Sequence, residues 1–391
     1  MKKKIAILGS TGSIGKSLLD IIKKDIKNFQ IELLSADENY KELLKQAKFF
    51  KVKNLIITNK SSYIKLKKNK YSKNIKIFNT FETFEKIFKS KVDYTMSSIT
   101  GIKGLKPTID IIKYSRKIAI ANKEAIICGW NLIEKNLKKY GAKFVPVDSE
   151  HFSIWYALKD TNINHVEKIY ITASGGPFLK RPISKLKNSN IKEAIKHPNW
   201  KMGKKISIDS ATLMNKIFEV IEAKNIFNIP YYKIKVFIHP KSYIHAILQL
   251  KNGFTKIVAH ETTMKIPIFN TLYDNGNYYS KSNFPSLNLS NLNNLNLSKV
   301  DHVRYPVIKL LNILPKKNTL FETVIVSAND KLVELFLKKI IPFTSIQKEL
   351  FKIINLKEFK KLKKVSPKSI KDILELNDYV HLKISKKVYK S

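Results

Sequence analysis

Acids are scarce in this sequence, 31 Asp and Glu against 73 Lys and Arg, so the places where carboxylates gather carry weight. Asp148 and Glu150 lie two apart in Pro146-Val147-Asp148-Ser149-Glu150-His151. In extended backbone alternate residues share a face, and two hard oxygen ligands on one face suit Mg2+ or Mn2+. A surface pair capping the following helix would give the same spacing. Further along, Asn215, Glu219 and Glu222 fall at i, i+4 and i+7 of a helix expected over Thr212–Phe227, a polar stripe on an otherwise apolar helix. The stripe could supply a third carboxylate to a metal and place Asn215 and Lys216 near a phosphate or hydroxyl, or it could simply face solvent.

Two more strings could do chemistry. Ser174 precedes Gly175-Gly176-Pro177-Phe178, a hydroxyl and backbone N–H groups that could cradle a phosphate. In His197-Pro198-Asn199-Trp200-Lys201-Met202-Gly203, Trp200 and Met202 between a proline and a glycine read as a lid able to exclude water. A structural His197 and a core Trp200 are the plainer alternatives. At the N-terminus Gly9-Ser10-Thr11-Gly12-Ser13-Ile14-Gly15 stands between a short apolar run and an amphipathic stretch beginning near Lys16. Glycines there permit a tight turn, and a helix N-terminus behind it stabilises a dinucleotide's pyrophosphate.

The elements that must position these residues follow from periodicity. Short continuous apolar runs at Ile5–Leu8, Ile31–Leu34, Leu55–Ile57, Tyr94–Ile99, Ile118–Ala121 and Phe144–Val147 alternate with amphipathic stretches such as Leu105–Tyr114 and Ala125–Tyr140. This is the βαβ pattern of an α/β fold with a Rossmann-like, doubly wound parallel sheet. Beyond it the pattern becomes α+β, with strands expected at Val166–Thr172 and Lys205–Ile208 and a hairpin across Asn252-Gly253. The expected organisation is a dinucleotide-binding domain over 1–147 and a catalytic domain over 148–273. A linker over 274–299, rich in Asn, Ser and Leu, then leads to a small helical C-terminal domain over 300–391.

The formal charge of +42 invites a nucleic-acid reading, but 70 of the 73 basic residues are lysine and they are spread along the chain. Nucleic-acid readers rely on arginine for bidentate contacts, so no nucleic-acid partner is expected. No apolar run approaches the roughly 18 residues of a membrane span, so no membrane partner is expected either. One cysteine, Cys128, excludes an internal disulfide and fits a reducing, cytoplasmic setting.

Taken together, these strings resemble the 1-deoxy-D-xylulose 5-phosphate reductoisomerase family. The resemblance rests on Gly9–Gly15, Ala121-Asn122-Lys123-Glu124, Pro146–His151, Ser174–Phe178, His197–Gly203 and Ser207–Lys216 running on to Glu222, with order and spacing kept; Arg304-Tyr305-Pro306 is also similar. It implies a metal, Mg2+ or Mn2+, held by Asp148, Glu150 and Glu219, and NADPH as cofactor. The substrate is a phosphosugar, 1-deoxy-D-xylulose 5-phosphate, whose skeleton is rearranged by retro-aldol cleavage and re-aldolisation before hydride reduction to 2-C-methyl-D-erythritol 4-phosphate. Ser174, Ser210, Asn215 and Lys216 would hold the phosphate, and Lys123, Ser149 and His197 would lie against the substrate, with Trp200 as its cover. Lys123, Glu150, His197 and Lys216 form the implied catalytic set. Thr11, Gly12, Ser13, Ile14, Asn39, Asn122, Glu124 and Gly203 would meet the nucleotide, and a homodimer is implied.

One segment departs from the family pattern. Where the family commonly carries Gly-Lys/Arg-Asn beside the adenosine ribose, this chain has Ala36-Asp37-Glu38-Asn39. Acids there accept hydrogen bonds from a free 2′-hydroxyl, so use of NADH beside NADPH is expected. Two other readings remain, a homoserine- or semialdehyde-type dehydrogenase without a carboxylate metal site, and a basic nucleic-acid-binding protein with a vestigial Rossmann domain.

Overall fold

The structure, a computed structural model, describes residues 2–200, 202–273, 284 and 287–388. The chain divides into two compact units. The first comprises residues up to Ala125, 131–148 and the segment starting at Met264, and the second holds Ile126–Trp130, Ser149–Thr263 and the C-terminal part.

The first unit is built on seven strands: β1 (Lys3–Leu8), β2 (Phe29–Ala36), β3 (Asn54–Ile57), β4 (Lys76–Phe78), β5 (Val92–Ser97), β6 (Ser115–Ile120) and β7 (Lys143–Pro146). All pairs are parallel, in the order β4-β3-β2-β1-β5-β6-β7. The central strand β1 buries four consecutive residues, Ile5 to Leu8, as a strand covered on both faces must. Six of the seven strands coincide with the apolar runs of the sequence. Edge strand β4 does not, because only Ile77 and Phe78 are apolar in it and both stay half-buried. The Lys265–Leu272 helix belongs to this unit: Thr271 bonds Tyr94 Oη through its hydroxyl at 2.8 Å and accepts from Lys117 Nζ through its carbonyl at 2.8 Å.

The second unit carries a five-stranded sheet of β8 (Val166–Ala173), β9 (Ile234–Ile238), β10 (Ile244–Leu250), β11 (Thr255–Ala259) and β12 (Ser298–Lys299), ordered β11-β10-β8-β9-β12. The β10–β11 pair is the hairpin expected at Asn252-Gly253, with Gly253 at φ +89°. A helical C-terminal region follows, its main helices being Leu320–Leu337, Phe343–Ile354 and Ile370–Val388. Of the linker expected over 274–299, residues 274–283, 285 and 286 lie outside the described residues; the described part includes a short Leu289–Leu292 helix and β12. Among the described residues no helix is long and apolar enough to cross a membrane.

Candidate active site

In the first unit the strand order reverses between β1 and β5, and ligands of open α/β sheets bind beyond the strand ends at such a point. Gly9 follows β1 there with φ +82°, and a Cβ on it would stand 2.8 Å from Ser98 O after β5. Gly15 lies inside the Ser13–Lys24 helix, where a Cβ would fall 2.5 Å from Ser10 Cα. Ser10 is buried and spent on structure, its hydroxyl donating to Gln46 Oε1 at 2.8 Å. Thr11, Gly12, Ser13 and Ile14 are left half-buried or exposed. The helix has no side-chain cap at Gly12, so its first N–H groups are open to an anion.

Neighbouring loops hold the other expected nucleotide residues. Asn122 is buried; its Nδ2 donates to the carbonyls of Ile99 and Gly101, and its Oδ1 accepts from Ala125 N at 2.8 Å. Its amide therefore shapes the loop after β5 and caps the Lys123–Tyr140 helix. Glu124 is buried in the first turn of that helix. Asn39, exposed, caps the Tyr40–Phe50 helix by accepting from Glu42 N. Asp37 accepts from Thr58 Oγ1 at 2.6 Å, and Asp37 and Glu38 are exposed at the end of β2.

Burial picks out three lysines among the described residues, Lys117, Lys123 and Lys216. Lys117 is accounted for by Thr271, and the other two face acids. Lys123 Nζ lies 2.9 Å from Asp148 Oδ2 within the first unit. In the second unit Lys216 Nζ donates to Glu150 Oε1 at 2.8 Å and to Glu219 Oε2. Burial works against the charge on Lys216, but Glu150 and Glu219 outweigh it and raise its pKa above the ordinary lysine value. The remaining oxygens are also engaged: Glu150 Oε2 accepts from Ser149 Oγ at 2.6 Å, and Glu219 Oε1 accepts from Asn215 Nδ2.

One local expectation is corrected here, and one alternative left open by the sequence is decided. Asp148 and Glu150 do not share a strand face: β7 ends at Pro146, and Glu150 lies in the first turn of the Ser149–Ala157 helix. The Asn215–Glu219–Glu222 stripe does not face water either. Glu219 and Glu222 are each 2% exposed on the Met214–Phe227 helix, where His151 Nε2 donates to Glu219 O at 2.8 Å and Nδ1 lies 3.5 Å from Glu222 Oε2.

His197 joins the second unit's other expected residues. Its Nδ1 accepts from the backbone N–H of Asn199 and Trp200 at 3.2 and 3.0 Å. Nδ1 thus bears no proton, and the neutral ring carries it on Nε2, which lies 2.9 Å from Ser174 Oγ and 3.1 Å from Ser210 Oγ. Burial first, then the charge of Lys216, lowers the His197 pKa to about 4. Since the folded value is below the unfolded one near 6.5, the associated stability is fully present above pH 6.5 and is lost as pH falls towards 4. An NMR titration is expected to show the Nε2–H tautomer unchanged from pH 8 down to about 5; a midpoint near 6.5 would contradict this geometry.

The expected strand at Lys205–Ile208 is instead the Lys204–Ala211 helix. Its Lys-Ile-Ser-Ile alternation mimics a strand, but Lys205 pairs with Asp209 one turn on at 3.2 Å, and Ser207, Ile208 and Ala211 are buried. Gly203, exposed, is its N-cap residue. Trp200 is half-buried with its ring edge-on to His245, centroids 6.2 Å apart. Asn199 ties this loop down by donating to Pro240 O at 2.6 Å and Ser242 Oγ at 2.9 Å. Sequence reasoning gave no role to Asn199, Asp209, Asn329 or Tyr305, whose partners lie tens to more than a hundred residues away.

A glycine turn at the switch point of a parallel sheet, and a second unit gathering buried carboxylates, a charged lysine and a neutral histidine, define a dinucleotide-dependent oxidoreductase. The chain belongs to the 1-deoxy-D-xylulose 5-phosphate reductoisomerase family. Profiles described as 1-deoxy-D-xylulose 5-phosphate reductoisomerase and its C-terminal domain match residues 5–129 and 144–227, and that of the DXP reductoisomerase C-terminal domain matches 260–381. The 1-deoxy-D-xylulose 5-phosphate reductoisomerase of Pelagibacter ubique is 57% identical, over 98% of this chain and 99% of its own length. That of a Sulfurihydrogenibium species is 38% identical over 93% of each chain. Among solved structures, the enzyme from Zymomonas mobilis in complex with NADPH superposes with a TM-score of 0.87 at 29% identity, covering 99% of both chains. A DOX-P reductoisomerase in complex with NADPH, fosmidomycin and magnesium gives 0.91 at 30% identity, covering 99% of this chain and 98% of the other.

Proposed function

We propose that this chain converts 1-deoxy-D-xylulose 5-phosphate to 2-C-methyl-D-erythritol 4-phosphate with NADPH and a divalent metal, a step of isoprenoid precursor synthesis by the non-mevalonate route. The observation that carries the reading is the convergence of Glu150 and Glu219, within 4.8 Å of each other, on the ammonium of Lys216. Two carboxylates, Glu219 buried and Glu150 half-buried, aimed at one positive charge are a donor set that fits a hard cation such as Mg2+ or Mn2+. Asp148 is joined to Glu150 through Ser149 alone, so the chain itself keeps the backbone that bears the third carboxylate within about 7 Å of that of Glu150, Cα to Cα. A divalent metal held by Asp148, Glu150 and Glu219 would supply Lewis-acid chemistry to the substrate, and NADPH would supply hydride.

The chain's own residues bind and orient. Ser174, Ser210, Asn215 and Lys216 hold the phosphate; neutral His197 can donate from Nε2 to a substrate oxygen without adding charge. Lys123 and Ser149 set the acids that they contact, Lys123 holding Asp148 and Ser149 holding Glu150. Thr11 to Ile14 and Glu124 meet the nucleotide, together with the loops shaped by Asn39, Asn122 and Gly203. Family resemblance supports a homodimer, and the lone buried Cys128 fits a cytoplasmic setting. The test is oxidation of NADPH on adding 1-deoxy-D-xylulose 5-phosphate and Mg2+ or Mn2+, with the product identified by NMR. No oxidation, or turnover indifferent to a chelator, would reject the assignment.

Two further expectations concern the rims of this site. Trp200→Ala is expected to raise the KM for substrate and weaken a phosphonate-hydroxamate inhibitor by about tenfold or more, with the fold intact by circular dichroism. Unchanged kinetics would make Trp200 packing alone. Asp37 and Glu38 would each repel a ribose 2′-phosphate by about 1 kcal/mol at 4 Å in bulk water, so the preference for NADPH over NADH is expected to be weak. Glu38→Lys should then raise the ratio of kcat/KM for NADPH over NADH by about fivefold. A strong wild-type preference left unchanged by the substitution would show that these acids point away from the ribose.

A further inference from the structure

We propose that Tyr305 and the Asp209–Asn329 pair are positioning residues for the phosphate cradle; the inference rests on the assignment of Ser174 and Ser210 to the substrate phosphate. The two serines come from different segments and meet around His197 Nε2. A serine hydroxyl has one rotor and no reach, so its position is that of its backbone. Whatever fixes those two backbones therefore fixes the cradle.

Each segment is gripped at the residue next to its serine, Gly175 through its carbonyl and Asp209 through its side chain. Next to Ser174, Gly175 O accepts from Tyr305 Oη at 2.7 Å, and Arg304 Nη1 donates to Phe178 O at 2.8 Å. Tyr305 is buried, and burial pushes its hydroxyl up to about 12, so it stays a donor at working pH. Next to Ser210, Asp209 is 1% exposed and its Oδ1 accepts from Asn329 Nδ2 at 2.7 Å. Its Oδ2 faces Lys205 Nζ, which also reaches Asp330 Oδ1 at 2.9 Å. Both grips come from beyond residue 300, and Asn329 sits fully buried on the Leu320–Leu337 helix.

The two gripped segments also touch. A Cβ on Gly176, whose φ is +68°, would lie 2.7 Å from Ala211 Cα and 2.8 Å from Ser210 O. Backbone thus abuts backbone on the inside while Tyr305 and Asn329 hold from the outside. Releasing either grip lets one serine drift from the other, and small misplacements of this kind cost binding steeply.

Steady-state kinetics on the full-length enzyme test this. Tyr305→Phe, which deletes only a hydroxyl, is expected to raise the KM for 1-deoxy-D-xylulose 5-phosphate about tenfold, leaving kcat within about threefold and the KM for NADPH unchanged. Asn329→Asp sets a carboxylate against Asp209 and is expected to do the same or worse. Adding Asp209→Asn restores a donor–acceptor pair in the opposite sense and should return KM to within about threefold of wild type. A fall in kcat at constant KM in Tyr305→Phe would be loss of active enzyme and would overturn the proposal, as would no change or no rescue by the swap. Ser174→Ala and Ser210→Ala serve as reference: if they leave KM unchanged the phosphate assignment falls and this proposal with it, whereas a raised KM in them without one in Tyr305→Phe overturns the proposal alone.

Discussion

Glu219→Gln is expected to raise the Mg2+ concentration for half-maximal activity at least tenfold, because glutamine keeps the shape of the side chain and removes its charge. Glu219 is almost wholly buried, and its carboxylate is fixed on both sides, by Asn215 Nδ2 and Lys216 Nζ. It cannot be replaced by a neighbour swinging in, since Glu222 on the next turn is turned towards His151. The fold should survive, because Lys216 keeps Glu150 as a counter-charge at 2.8 Å. The check is a metal titration of activity with calorimetric metal binding beside it. Wild-type half-saturation in the variant would remove Glu219 from the metal site.

Lys216→Met is expected to be the most damaging single change, and in two separable ways. Without metal, it leaves Glu150 and Glu219 facing each other across a buried space with their shared cation gone. Removing one partner of a buried ion pair costs about 3–5 kcal/mol, so the metal-free variant should unfold at markedly lower denaturant than the wild type. A divalent cation then has more repulsion to relieve, so adding Mg2+ should stabilise the variant more than the wild type. Activity should nonetheless stay at least tenfold down even at saturating metal, because the charge-assisted hydrogen bond to the phosphate that the proposed function gives Lys216 would be lost. Equal stability of variant and wild type without metal would show that the carboxylates do not depend on Lys216.

The parallel sheet was legible because its strands are buried on both faces and therefore read as unbroken apolar runs. The glycine turn was legible because Gly9 and Gly15 are required sterically, not merely tolerated. Legibility failed where tertiary contacts decide local form. Lys205–Ile208 alternates like a strand, yet the Lys205–Asp209 pair and the buried Ser207–Ile208–Ala211 face favour a helix. Glu150 and Asp148 were placed together for a reason that does not hold, since the chain leaves the extended state at Pro146. The stripe of Asn215, Glu219 and Glu222 has the same spacing whether it faces water or the interior. Only the arrival of His151 and Glu150 from a distant helix, invisible to any local pattern, turns it inward.

The Lys265–Leu272 helix has a consequence for how the protein is made. It covers Tyr94 and Lys117 on a sheet whose last strand ends at Pro146, so the ribosome must add about 120 residues between finishing that sheet and supplying its cover. At about 5–20 residues per second, the nascent sheet waits roughly 6–24 seconds with this face open. For that interval the emerging chain offers a target for chaperones, and the first unit reaches its native state only after much of the second unit has already been synthesised.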